Sequence, residues 1–112
     1  MRHPRSFGSF PKVIEEYVVR DKLLSLELAI NKMTGQTAHI FRLKSRGLLK
    51  QGYGADILVM DIQNVKANTT WTDIYAPPTG FDYVIVNGQV TDTSAKSSEP
   101  TYGRVLLKTK GD

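Results

Sequence analysis

The 112-residue chain has no cysteine, which excludes disulfides, thiolate metal sites and a cysteine nucleophile. Histidine is nearly as scarce: His3 and His39 are the only two. They form neither an HxH nor an HExxH pattern, so they do not make the histidine set of a zinc enzyme, and a Ser–His–Asp arrangement has little to draw on. No apolar run approaches the roughly 18 residues of a membrane helix. The start, Met1-Arg2-His3-Pro4-Arg5, lacks the apolar stretch of a signal peptide. The expectation is a cytoplasmic protein with no membrane contact. Length is limiting too, because a complete (β/α)8 barrel needs about 250 residues. What is present is globular: 40% apolar, 23% charged and 9% aromatic residues, enough for one modest core.

The net charge of +4 is uneven. Residues 1–50 carry ten Lys/Arg against four Asp/Glu, and residues 51–112 carry five against seven. The densest basic run, Arg42-Leu43-Lys44-Ser45-Arg46, has no interleaved aromatics and no recognition-helix pattern. No nucleic-acid partner is expected from it.

The hydrophobic period changes along the chain. Phe10, Val13, Ile14, Tyr17 and Val18 make a helical stripe. Ser6 or Ser9 is its expected cap, Pro11 falls in its first turn, and Arg20-Asp21 closes it. A second helix starts after Ser25 as N-cap, with Glu27 in its first turn and Leu26, Ala29, Ile30 and Met33 on its apolar face. Thr34-Gly35 ends it. A short third helix spans about Thr37 to Phe41, docking through Ala38 and Phe41, and Gly47 breaks the pattern. Strands follow: Ala55 to Asp61, Phe81 to Val86, a return strand Gln89 to Asp92, and Val105-Leu106-Leu107. Asn87-Gly88 is a type I′ hairpin signal. Asn64 to Gly80 reads as loop because of Pro77-Pro78, and Asp92 to Pro100 as a polar excursion. Helices before strands argue for an α+β fold, or for pieces of two domains joined near Gly47.

Taken one by one, the polar motifs yield no active site. Gly52-Tyr53-Gly54 is a tight turn rather than a dinucleotide fingerprint, since Ile57 stands where a third glycine belongs and a strand follows. Asp56 is expected to cap backbone N–H groups of that turn. Glu15, Glu16 and Asp21 read as a solvated helix face, His39 as a surface or cap histidine, and His3 as part of a basic terminus. Asn68-Thr69-Thr70 matches a glycosylation sequon, which has no meaning without a secretory signal.

In order, however, the motifs resemble one family. His3-Pro4-Arg5-Ser6-Phe7-Gly8-Ser9-Phe10-Pro11 resembles the HPR-x-(aromatic)-G-[TS]-F-P segment of N-acyl-D-amino-acid deacylases (D-aminoacylases) of the amidohydrolase superfamily. Leu24 to Thr34 is similar to the LSLEEAVRKMT helix of that family, with Leu28 in place of a glutamate. Arg46-Gly47 through Gly52, Ala55 and Asp56 resemble the RG-x(2,3)-G-x-x-AD signature, with four residues between Gly47 and Gly52. Tyr83 to Gly88 resembles the YV-x-VNG hairpin, and Gly103-Arg104-Val105-Leu106 the terminal GRVLR.

The resemblance implies that this chain is the C-terminal portion of a longer zinc enzyme. Residues 1–46 would be the last outer helices of a (β/α)8 barrel, and residues 47–112 part of a small composite β-sandwich. The zinc ligands and the catalytic aspartate would lie upstream, so this chain alone would bind no cofactor and be inactive. Arg5 would bind the α-carboxylate of a small N-acyl amino acid, and His3 would shape the same loop. A guanidinium suits that task because its planar fork donates two parallel hydrogen bonds to a carboxylate. Orphaned apolar faces would also drive self-association. The alternatives are a free-standing interaction module, an accessory subunit, or the tail of a dihydroorotase- or hydantoinase-like enzyme.

Overall fold

The computed structural model describes residues 3–91 and 101–107. Helices come first and a small sheet second. Helix α1 (Arg5–Lys12) runs on as a π-helical stretch, Val13–Arg20, followed by α2 (Leu26–Met33) and α3 (Gly35–Ile40). Strands β1 (Ile57–Met60), β2 (Phe81–Val86) and β3 (Gln89–Thr91) form a three-stranded sheet in the order β1-β2-β3. By contacts the chain divides into two units: residues up to Ala29 with Val59–Asp82, and Ile30–Leu58 with the residues from Tyr83 onward.

Helix α1 starts earlier than the serines predict. The first helical N–H groups find acceptors upstream: Arg5 N–H donates to His3 Nδ1 at 3.0 Å, and Ser6 N–H to the His3 carbonyl at 3.0 Å. Neither Ser6 nor Ser9 is therefore the cap, and Pro11 falls inside the helix rather than in its first turn. There its missing N–H removes the bond to the Phe7 carbonyl. The winding widens directly afterwards, with Asp21 N–H reaching back five residues to the Glu16 carbonyl at 2.7 Å. A wider turn rotates side chains off the 3.6-residue stripe. Only Ile14 of the five is buried (3% exposed), while Phe10 is 69% exposed. The helix does end at Arg20, whose guanidinium makes two hydrogen bonds to Asp21 at 2.7 and 3.0 Å. Asp21 is thus an ion-pair partner rather than a merely solvated carboxylate.

Helix α2 is capped as expected, Ser25 Oγ accepting the Leu28 N–H at 3.2 Å, and Ala29 is buried. Helix α3 opens two residues early, at Gly35, and buries Ala38. It also stops at Ile40, one residue short of Phe41, which stays 58% exposed and does not dock.

The hairpin is local and lies where the sequence places it. Asn87 (φ 49°) and Gly88 (φ 80°) supply the two positive angles of the turn. Strands β2 and β3 pair antiparallel, Val84 opposite Thr91 and Val86 opposite Gln89. Strand β1 meets β2 in antiparallel order, Gly88 N–H donating to the Ala55 carbonyl and Asp61 N–H to that of Gly80, both at 2.9 Å. The expected strand at Val105-Leu106-Leu107 is not there. These residues have no strand partner among the described residues and are 50–86% exposed. Asp92 to Pro100, including the end of the return strand, lies outside the described residues.

Candidate functional site

Two polar centres stand out, one in each unit. The first is a cleft of about 360 Å³ between the start of α1 and the loop that follows Ala67. Its wall includes His3, Pro4, Arg5, Gly8, Lys12, Glu15, Glu16 and residues 67–71. Gly8 explains how closely the two sides approach: a Cβ there would collide with the side chain of Thr69. The loop is seated by ring contacts. Trp71 meets His3 edge-on with centroids 4.5 Å apart, and Tyr75 meets Phe7 at 4.8 Å.

Glu15 is no solvated helix residue. Its Oε2 accepts the Ala67 N–H at 2.8 Å and its Oε1 lies 3.6 Å from Lys66 Nζ. The carboxylate thereby ties the helix to the extended segment around buried Val65 and Ala67. Glu16 sits 3.6 Å from Lys12 Nζ and 3.5 Å from Arg20. The sequon asparagine is occupied as well: Asn68 Nδ2 donates to the Pro77 carbonyl at 2.9 Å and to Thr79 Oγ1 at 3.1 Å, pinning the loop.

With both acids engaged, Arg5 is left. Its guanidinium has no hydrogen-bonded or ion-paired carboxylate among the described residues, and it lines the cleft. The cleft therefore presents a fork-shaped donor with no acceptor among the described residues. The structure brings His3 and Arg5, the two site residues drawn from the sequence, to one wall. It also adds Trp71, which no motif singled out. An isolated tryptophan among Thr, Asn and Asp in a Pro-containing loop was the available signal.

The second centre is a closed knot. Arg46 Nη1 donates to Asp56 Oδ2 at 2.6 Å and to Asn87 Oδ1 at 2.8 Å. Asp56 Oδ1 accepts the Asn87 N–H at 2.9 Å, and Asn87 Nδ2 donates to the Tyr102 carbonyl at 2.6 Å. Asp56 thus caps the hairpin turn, not the Gly52–Gly54 turn. Its carboxyl is held below the ordinary aspartate range, first by the Asn87 N–H and then by the Arg46 guanidinium, against the opposing effect of partial burial. Gly54 belongs to the same centre, since a Cβ there would lie 2.6 Å from Arg46 Cζ. Arg46, Gly54 and Asp56 lie within the RG…G…AD segment, Asn87 belongs to the hairpin motif, and the two meet here. The basic run before it is a bent chain: Arg42 and Ser45 both have positive φ, and Arg46 is spent on the knot.

Neither centre fits a metal ion. Among the described residues no three His, Asp or Glu side chains converge. His3 Nδ1 is committed to the Arg5 N–H, and His39 stands exposed on α3.

A model of the amidohydrolase family matches residues 2–92. The chain is 39% identical over 104 residues to an N-acyl-D-aspartate deacylase of Alcaligenes xylosoxydans xylosoxydans, covering 93% of this chain and 21% of that protein. Its structure superposes on a crystal structure of D-aminoacylase with a TM-score of 0.76 and 40% identity, covering 79% of this chain and 19% of the other. It superposes equally, at 0.76 and 38% identity over the same shares, on N-acyl-D-glutamate deacylase from Bordetella bronchiseptica complexed with zinc and a phosphonate inhibitor that mimics the tetrahedral intermediate. The chain belongs to the amidohydrolase family. It spans about a fifth of the length of these relatives.

Proposed function

We propose that this chain is the C-terminal portion of a zinc-dependent, cytoplasmic N-acyl-D-amino-acid deacylase, an enzyme that hydrolyses an N-acyl-D-amino acid to a D-amino acid and a carboxylate. Residues 1–46 are then outer helices of its barrel and residues 47–112 part of its small β-sandwich. Exposed apolar side chains on the helices, such as Phe10 (69%) and Ile40 (66%), support a cover supplied by other segments. The metal and the bond-breaking chemistry belong to those segments, because no side-chain set among the described residues fits a metal.

The contribution of this chain is substrate grip. The observation that carries the reading is the Arg5 guanidinium, without a counter-charge among the described residues, in a cleft whose two acids are already engaged. A substrate α-carboxylate supplies the missing acceptor, and the planar fork fixes its orientation through two parallel bonds. The test is Arg5→Ala in the full-length enzyme. Losing charge-assisted bonds worth about 2–3 kcal/mol raises KM for N-acetyl-D-amino acids roughly 30- to 150-fold. An N-acetyl amine lacking the carboxylate is hydrolysed as before. Equal losses on both substrates remove Arg5 from the carboxylate site. The 112-residue chain alone, supplied with zinc, turns over neither substrate, and turnover would refute its incompleteness.

A further inference from the structure

The cleft holds a second donor whose direction is set by its neighbours. Because a backbone N–H can only donate, the bond from Arg5 N–H to His3 Nδ1 at 3.0 Å requires a lone pair on Nδ1. The neutral imidazole therefore carries its proton on Nε2. That Nε2–H has no protein acceptor among the described residues, and His3 lines the cleft beside Arg5. Free peptide N–H groups at the start of α1 do not compete for a ligand. Ser6 donates to the His3 carbonyl, and Phe7 and Gly8 to that of Pro4. Side chains must do the binding. Rotation of the His3 ring is restrained from the other side by Trp71, 4.5 Å away and inclined at 69°.

We propose that Trp71 is a positioning residue: it holds the His3 ring so that Nε2–H donates a hydrogen bond to the substrate carboxylate, next to the fork of Arg5. The proposal rests on the deacylase reading and deepens it. One end of the imidazole fixes the helix start that carries Arg5, and the other end binds the same anion.

The test uses the full-length enzyme and three variants. His3→Asn keeps an acceptor for the Arg5 N–H but has no donor at the Nε2 position. Trp71→Ala removes the ring contact, and Trp71→Phe retains it. His3→Asn and Trp71→Ala each raise KM for N-acetyl-D-amino acids about 10-fold, as expected for one hydrogen bond to a charged group. They leave kcat within about twofold, and turnover of the carboxylate-free amine is unchanged. Trp71→Phe restores the wild-type KM. Nitrogen NMR of 15N-histidine-labelled enzyme shows His3 protonated on Nε2, and a mixture of tautomers in Trp71→Ala. An unchanged KM in His3→Asn, equal effects on both substrates, or a proton on Nδ1 in the wild type overturns the proposal. Failure of the underlying reading looks different: the wild-type enzyme itself turns over no N-acyl-D-amino acid.

Discussion

Arg46 and Arg5 are the same side chain put to opposite uses. Arg46 is mostly buried, 20% exposed, and gives its Nη1 to both Asp56 and Asn87. Three polar groups of Asn87 are in turn matched, its N–H by Asp56, its Oδ1 by Arg46 and its Nδ2 by Tyr102. The charge of Arg46 is thus already paired within the fold. Arg5 stands in a cleft whose acids already serve Ala67, Lys66, Lys12 and Arg20. A satisfied network specifies a fold, whereas a donor without an acceptor awaits one from outside. Saturation separates the two roles better than charge does, because the formal charge is identical.

The contrast is sharpest in stability. Arg46→Ala takes the guanidinium donor away from Asp56 Oδ2 and Asn87 Oδ1. Hydrogen exchange at the Asn87 amide should accelerate by roughly 10- to 150-fold, equivalent to about 1.5–3 kcal/mol. Arg5→Ala, measured at the same amide, should change nothing. If both substitutions loosen the hairpin alike, the two arginines do not differ in kind. Gly54→Ala strikes the knot indirectly, pushing a methyl group against the Arg46 guanidinium. The flexible side chain yields, and the loss is about 1–2 kcal/mol at the same amide. A neutral result would mean that Arg46 finds another path to Asp56.

The smallest effect is that of acid. The folded carboxyl of Asp56 titrates lower than its unfolded value of about 3.9. Its contribution is therefore complete above that value and is lost as pH falls through the lower, folded one. Asn87 protection should be level through neutral pH and decline only below about pH 4. Asp56→Asn should flatten that decline. A decline beginning near neutrality would point to another group.

Local features of this chain are legible in its sequence because their causes lie within a few residues. The Asn87-Gly88 turn, the Ser25 cap and strand β2 follow from adjacent residue types. The start of α1 was hidden because its acceptors, the imidazole and carbonyl of His3, are not among the usual capping groups. The stripe through Phe10 to Val18 assumed a 3.6-residue period, which Pro11 and the π-helical winding interrupt. Asp56 was read as a local cap, yet its N–H partner is 31 residues away. Periodicity does not report such a pairing. Of the cleft, Arg5 and His3 came from family resemblance, and Trp71, some seventy residues later, came only from the fold.

Trp71 also makes the cleft observable. It is the single tryptophan of the chain and is 67% exposed against the His3 ring. Indole emission from this polypeptide is consequently a signal from one wall of one cleft. A solute that binds beside Arg5 and displaces water from the indole should change the colour or lifetime of the emitted light. The chain carries its own optical gauge of occupancy, with no label to attach.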